Sequence, residues 1–172
     1  MFDNSKWYRS AMARQTRLLR TLLVMFLVGL VLASGLLYIV SLDLAAVYPK
    51  LAPQRLPIYF AVLVGAVPVV MGVKVVFDLL GVADLGEAFS LRTVQLLGRL
   101  KVLVGITAAY EVLGLVGVWV AAWVAVGQTK GQMLLPWFAA EVVTLFLFTL
   151  VGLLERLFAA ALELRQDNEL TV

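Results

Sequence analysis

Four stretches of the chain carry almost only apolar side chains, at about residues 18–42, 57–82, 102–126 and 134–161, and polar residues gather between them. About 20 residues rising 1.5 Å apiece cross a hydrocarbon core of roughly 30 Å, so each stretch is long enough to span a bilayer as a helix. No window alternates polar and apolar positions as a barrel strand does. Lipid cannot hydrogen-bond an open backbone, which leaves helices as the spanning structure. The expected fold is all-α: an integral membrane four-helix bundle, one domain over residues 1–172, with a basic segment at 1–17 and a polar tail at 162–172.

The connections differ in kind. The one after the first span has Pro49, Pro53 and Pro57 at a spacing of four, which predicts a stiff, partly extended crossing. Residues 127–133, GQTKGQM, read as a plain turn. The connection after the second span is GVADLGEAFSLRTVQLLGRLKV, where Gly86 ends a turn and Ser90 is placed as an N-cap. It predicts a short interfacial helix from Leu91 leading into the third span, with Leu91, Val94 and Leu97 on its apolar face.

Charge gives the chain a direction. Lys6, Arg9, Arg14, Arg17 and Arg20 precede the first span, Arg92, Arg99 and Lys101 lie between the second and third, and Arg156 and Arg165 follow the fourth. The other two connections hold Lys50, Arg55 and Lys130. By the positive-inside rule both termini are cytoplasmic, as an even number of spans requires. Tyr48, Tyr59, Trp119, Trp123 and Trp137 fall near the outer ends of their spans, where amphipathic rings anchor. The first apolar run is too long for a cleaved signal peptide, and the basic segment before it is expected to lie along the inner leaflet.

Composition narrows the chemistry. With 63% hydrophobic and 15% charged residues and a mean hydropathy of +1.00, the chain is too apolar for a water-soluble domain. It has neither Cys nor His, which removes disulfides, thiolate and imidazole metal ligands and the commonest nucleophile–base pairs. What is left in the spans is isolated acids, Thr107, Thr144 and a few tyrosines, so no enzyme activity, cofactor or metal is expected. The net charge of +3 is explained by topology, and direct nucleic-acid binding is not expected.

Ionisable groups within spans cost several kcal/mol unless paired or hydrated, and each is a candidate site. Lys74 and Asp78 share a helix face four residues apart. At 1.5 Å per residue Lys74 lies roughly 10 Å, and Glu111 roughly 13 Å, from the inner ends of their spans. An intramembrane cluster of Lys74, Asp78 and Glu111 is therefore expected between spans two and three. Glu141 falls in the outer half, either as a protonated or hydrogen-bonded structural group near Thr144 or Gln128, or as a cation or proton site. Gly117, Ala121 and Ala125, and Gly29 with Ala33, are small-residue rows that predict close helix contact, within one chain or in a homo-oligomer.

Two stretches, GEAFSLRTVQLLGRL before the third span and LRQDNELTV at the end, together with the four-span layout, resemble the bacterial membrane proteins grouped as domain of unknown function 2975. The resemblance implies a small inner-membrane protein without an established activity, often encoded beside a compact helix-turn-helix regulator of the Cro type. It assigns no role to Lys74, Glu111 or Glu141.

The expected function is non-enzymatic: regulation or interaction, through a cytoplasmic surface of Glu87, Phe89, Ser90, Leu170, Thr171 and Val172 offered to a soluble protein partner. The alternatives are an accessory subunit of a larger membrane complex, or a small transporter or channel using the intramembrane carboxylates. Two destinations are open for the apolar residues of the tail: a strand-accepting groove on a partner, or the chain's own inner connection near Phe89, which is the expected one.

Overall fold

The computed structural model describes residues 4–47, 49–86, 89–126 and 135–170. They form α1 (Asn4–Val47), a short 3-10 helix (Pro49–Gln54), α2 (Arg55–Asp84), α3 (Leu91–Val126) and α4 (Leu135–Leu170). All four α-helices contain a segment long and apolar enough to cross a membrane. The protein is a multi-pass, all-helical membrane protein, and its exposed Leu, Val and Phe side chains are the surface that meets lipid.

The helices outrun the apolar stretches. α1 includes the basic segment in the same continuous helix as the first span, so that segment is not a separate element along the leaflet. α4 carries on past residue 161 through the polar tail to Leu170, because Glu163, Leu164, Arg165 and Gln166 are all good helix formers and no Gly or Pro intervenes. The proline-rich connection is compact, not extended: Pro49 and Pro53 fit the 3-10 helix, and Pro57 falls in the first turn of α2, where amides have no intrahelical acceptor anyway.

α3 starts at Leu91 and runs unbroken through the third span. Gly86 makes the chain reversal with φ +78, the region a residue without Cβ enters freely. Ser90 then caps the helix, its Oγ and carbonyl both accepting from the Thr93 amide, at 3.3 and 3.0 Å. The buried face of this first turn is Thr93, Leu96 and Leu97; Leu91, expected on it, is exposed.

Matched residue pairs show that consecutive helices are antiparallel. Asp84 meets Arg20 and Tyr59 meets Tyr38 between α1 and α2. Gly72 lies against Leu100, and Gly65 against Tyr110, between α2 and α3. Gly98 lies against Glu155, and Gly105 against Phe148, between α3 and α4. The α1 N-terminus, the α2–α3 turn and the α4 C-terminus therefore share one end of the bundle, called here the terminal end.

Packing is sequential, each helix chiefly against its neighbours in the chain. The buried side chains Val73, Val82, Leu96, Leu97, Ala108 and Val151 all belong to α2, α3 and α4. Glycines let these three approach. A Cβ on Gly65 would stand 2.5 Å from the Tyr110 ring, and one on Gly105 would stand 3.2 Å from that of Phe148. The expected rows are not the ones used: nothing described lies within 4 Å of a Cβ built on Gly29 or Gly117, and the side chains of Ala121 and Ala125 lie outside the described residues.

Gly105→Val should therefore lower unfolding stability in detergent by about 1–3 kcal/mol, through the forced displacement of Phe148. Gly117→Ala should stay within about 0.5 kcal/mol of the parent. Equal effects in a denaturant titration would refute this assignment of the α3–α4 contact.

Candidate functional site

The charged residues fall into three groups at different heights. Nearest the terminal end, Arg20 of α1 donates from Nη2 to Oδ2 of Asp84 at 2.7 Å, tying α1 to the last turn of α2. Beside it the α2–α3 turn is fixed to α4 by Phe89, whose ring stacks on Phe158 with centroids 5.1 Å apart. Phe89 thus has an intramolecular partner in Phe158 of α4. Leu170 is twelve residues beyond Phe158 on the same helix, about 18 Å further at 1.5 Å per residue. Glu87, Thr171 and Val172, and the Leu170 side chain, lie outside the described residues. Ser90 has a structural task, since its hydroxyl caps α3.

The second group lies further in. Lys101 donates from Nζ to Oε2 of Glu155 at 3.1 Å, across the α3–α4 contact, with both side chains about a third exposed or less (33% and 27%). Gly98 and Gly152 make room for it, for the Glu155 carboxylate lies over Gly98 and the Lys101 stem over Gly152. On the other side of α3, Lys74 and Asp78 of α2 line a groove with Gln95 and Arg99. Glu111 is not with them. Gly72 lies level with Leu100, so Glu111 stands eleven residues, about 16 Å, above that level.

Glu111 belongs to the third group, which is turned toward α4. Thr144 and, one turn away on α4, the carboxyl of Glu141 stand beside its carboxyl. Thr144 is buried, and the Oε2 atoms of Glu111 and Glu141 are each buried with no hydrogen-bond partner among the described residues. The expected cluster of Lys74, Asp78 and Glu111 is thus replaced by two sites at different heights on α3. The error lay in counting depth from the ends of the apolar runs: the contacts of Gly72 with Leu100 and of Gly65 with Tyr110, whose hydroxyl donates to the Ala61 carbonyl, set the register of α2 and α3 and put Glu111 level with Val64, ten residues along α2 from Lys74.

Among the described residues no three Asp or Glu side chains converge as a metal site would need. Two ion pairs escaped the sequence reading, Arg20–Asp84 and Lys101–Glu155. The second had a readable signal. Lys101 is the last charge before the uncharged residues 102–110, and Glu155 the first after the uncharged residues 142–154, so the two mark the same boundary on adjacent helices.

Lys101→Met should cost about 1–2 kcal/mol of stability, because Glu155 is left partly desolvated without its donor, discounted for the exposure of both groups. The double variant Lys101→Met/Glu155→Gln should recover part of that loss. Additive losses in a double-mutant cycle would show that the pair contributes nothing.

Comparison with known proteins places this architecture in a family. No curated protein and no solved structure matches the chain. A family model described as protein of unknown function (DUF2975) matches residues 39–172, which takes in the end of α1 and all of α2, α3 and α4. The match covers most of the chain and both of the stretches that carry the resemblance, and the protein belongs to this family.

Proposed function

We propose that this protein is a non-enzymatic regulatory or interaction protein of the bacterial inner membrane, with both termini inside, whose terminal end receives a soluble cytoplasmic protein. The observation that carries this reading is the α2–α3 turn. Leu85 and Phe89 are 72% and 53% exposed there, outside the membrane-crossing segments, and Leu91, 62% exposed, stands at the very start of the third. The turn is held by the Gly86 reversal, the Ser90 cap and the Phe89–Phe158 stack. Apolar side chains presented on a fixed frame with charges around them fit the anatomy of a protein-binding patch. The tail residues Leu170, Thr171 and Val172 and the turn residue Glu87 are assigned to the same surface.

The first partner to test is a compact helix-turn-helix regulator of the kind encoded beside members of the family. Co-expressed with such a regulator from its own locus and purified in detergent, the chain should co-elute with it. Leu85→Glu and Leu91→Glu, which disturb no described internal contact, should weaken the complex about tenfold or more. No co-elution, or co-elution indifferent to both substitutions, would overturn this reading.

A second reading, a small cation or proton transporter, is favoured by the orphaned carboxylate oxygens of Glu111 and Glu141. It requires flux in proteoliposomes that Glu111→Gln abolishes. Flux that persists in Glu111→Gln and Glu141→Gln alike would remove it. An accessory role in a larger membrane complex would use the same exposed faces and is tested by the same purification.

A further inference from the structure

The groove between α2 and α3 on the terminal side has its chemistry ordered by height. Its volume is about 760 Å³, within the range of pockets that hold small ligands. The contact of Gly72 with Leu100 sets the register of its two walls. Lys74 on α2 and Arg99 on α3 are then nearly level. Asp78 and Gln95 are each one turn nearer the terminal end. Met71 and Val102 stand on the other side, toward the middle of the membrane. Following the groove outward, the walls read apolar, then doubly cationic, then acidic and amide.

None of these charges is used elsewhere in the fold. Among the described residues Lys74, Asp78 and Arg99 make no ion pair, in contrast with Arg20 and Lys101, which are both paired. The height is that of a headgroup. The uncharged residues 56–73 of α2 cover about 27 Å, close to the roughly 30 Å of a hydrocarbon core, and Lys74 follows them directly. Its stem and that of Arg99 can lie along the apolar wall while the cationic ends reach the phosphate layer.

We infer that the groove formed by Met71, Lys74, Asp78, Gln95, Arg99 and Val102 binds one phospholipid with an ammonium headgroup, of the phosphatidylethanolamine class. An acyl chain lies on Met71 and Val102. The phosphodiester is held between Lys74 and Arg99, and the terminal ammonium is held by Asp78, with Gln95 beside it. The order of groups along such a lipid, acyl chain, phosphate, ammonium, is the order of the walls. A lipid with an anionic headgroup and no ammonium satisfies the two cations but leaves Asp78 facing a hydroxyl, and basic pockets between helices are a known means of holding phosphates at this depth.

The test uses the whole chain in mild detergent, incubated with an equimolar mixture of phosphatidylethanolamine and phosphatidylglycerol, with retained lipid weighed by native mass spectrometry. One phosphatidylethanolamine per chain is expected in preference to phosphatidylglycerol. Lys74→Gln/Arg99→Gln should reduce retention of both lipids about tenfold or more, at about 1 kcal/mol per basic residue. Asp78→Asn should keep retention but move the preference toward phosphatidylglycerol. Val102→Trp, which changes no charge and alters a lipid-facing position, should reduce retention of both lipids, and it carries the test if the doubly neutralised variant does not fold. Excess soluble glycerophosphoethanolamine should fail to displace the lipid. The inference is overturned if the parent retains no more lipid than the double variant, if Asp78→Asn leaves the preference unchanged, if the soluble headgroup displaces the lipid, or if the chain forms a dimer whose groove retains no lipid.

Discussion

The close approach of α2, α3 and α4 is the contact from which the rest of the structure follows. Lipid is as apolar as leucine, so helices in a membrane gain little by hiding hydrophobic side chains from it and must associate through dispersion contacts and a few polar links. Here the approach is made at glycines seven residues apart, Gly65 and Gly72 on α2 and Gly98 and Gly105 on α3. Seven residues make nearly two turns, so each pair stays on one face of its helix. Into the space the glycines leave come Tyr110, Leu100, Glu155 and Phe148, and with them the Tyr110 hydrogen bond and the Lys101–Glu155 pair. Short polar links become geometrically accessible only because the backbones are already near.

That register also sorts the charges. α3 turns one face to α2 and another to α4, and its ionisable residues divide accordingly. Arg99 lies in the groove with Lys74 and Asp78, whereas Lys101 and Glu111 look toward Glu155, Thr144 and Glu141. A single helix thereby separates a surface open to the bilayer at headgroup height from a polar contact sealed against α4. The deep carboxyls and the shallow cations do not neutralise one another, and each keeps its own surroundings.

Most of the architecture was legible in the sequence, because it rests on properties that add along the chain. Four apolar runs give four helices, and Ser90 after Gly86 gives the start of α3. What was not legible depends on rotation about the helix axis and on the register between neighbouring helices. The rows at Gly29 and Gly117 fit the small-residue pattern as well as the glycines that are used, and only the neighbour's side chain distinguishes them. Glu111 and Lys74 were matched by counting from the ends of their apolar runs, yet the register set by Gly72 on Leu100 holds them at different heights. The extension of α4 to Leu170 was missed because polarity was taken as the end of the helix, although the residues after 161 are strong helix formers.

α1 stands apart from this arrangement. It is fastened at two points, by Arg20 on Asp84 and by Tyr38 against Tyr59 and the Arg55 guanidinium, and no residue of its most apolar window is buried. Tyr38 lies eighteen residues beyond Arg20, about 27 Å along the helix. α1 works as a tether, and a pull on its exposed face would load those two fastenings before it reached the glycine-packed helices.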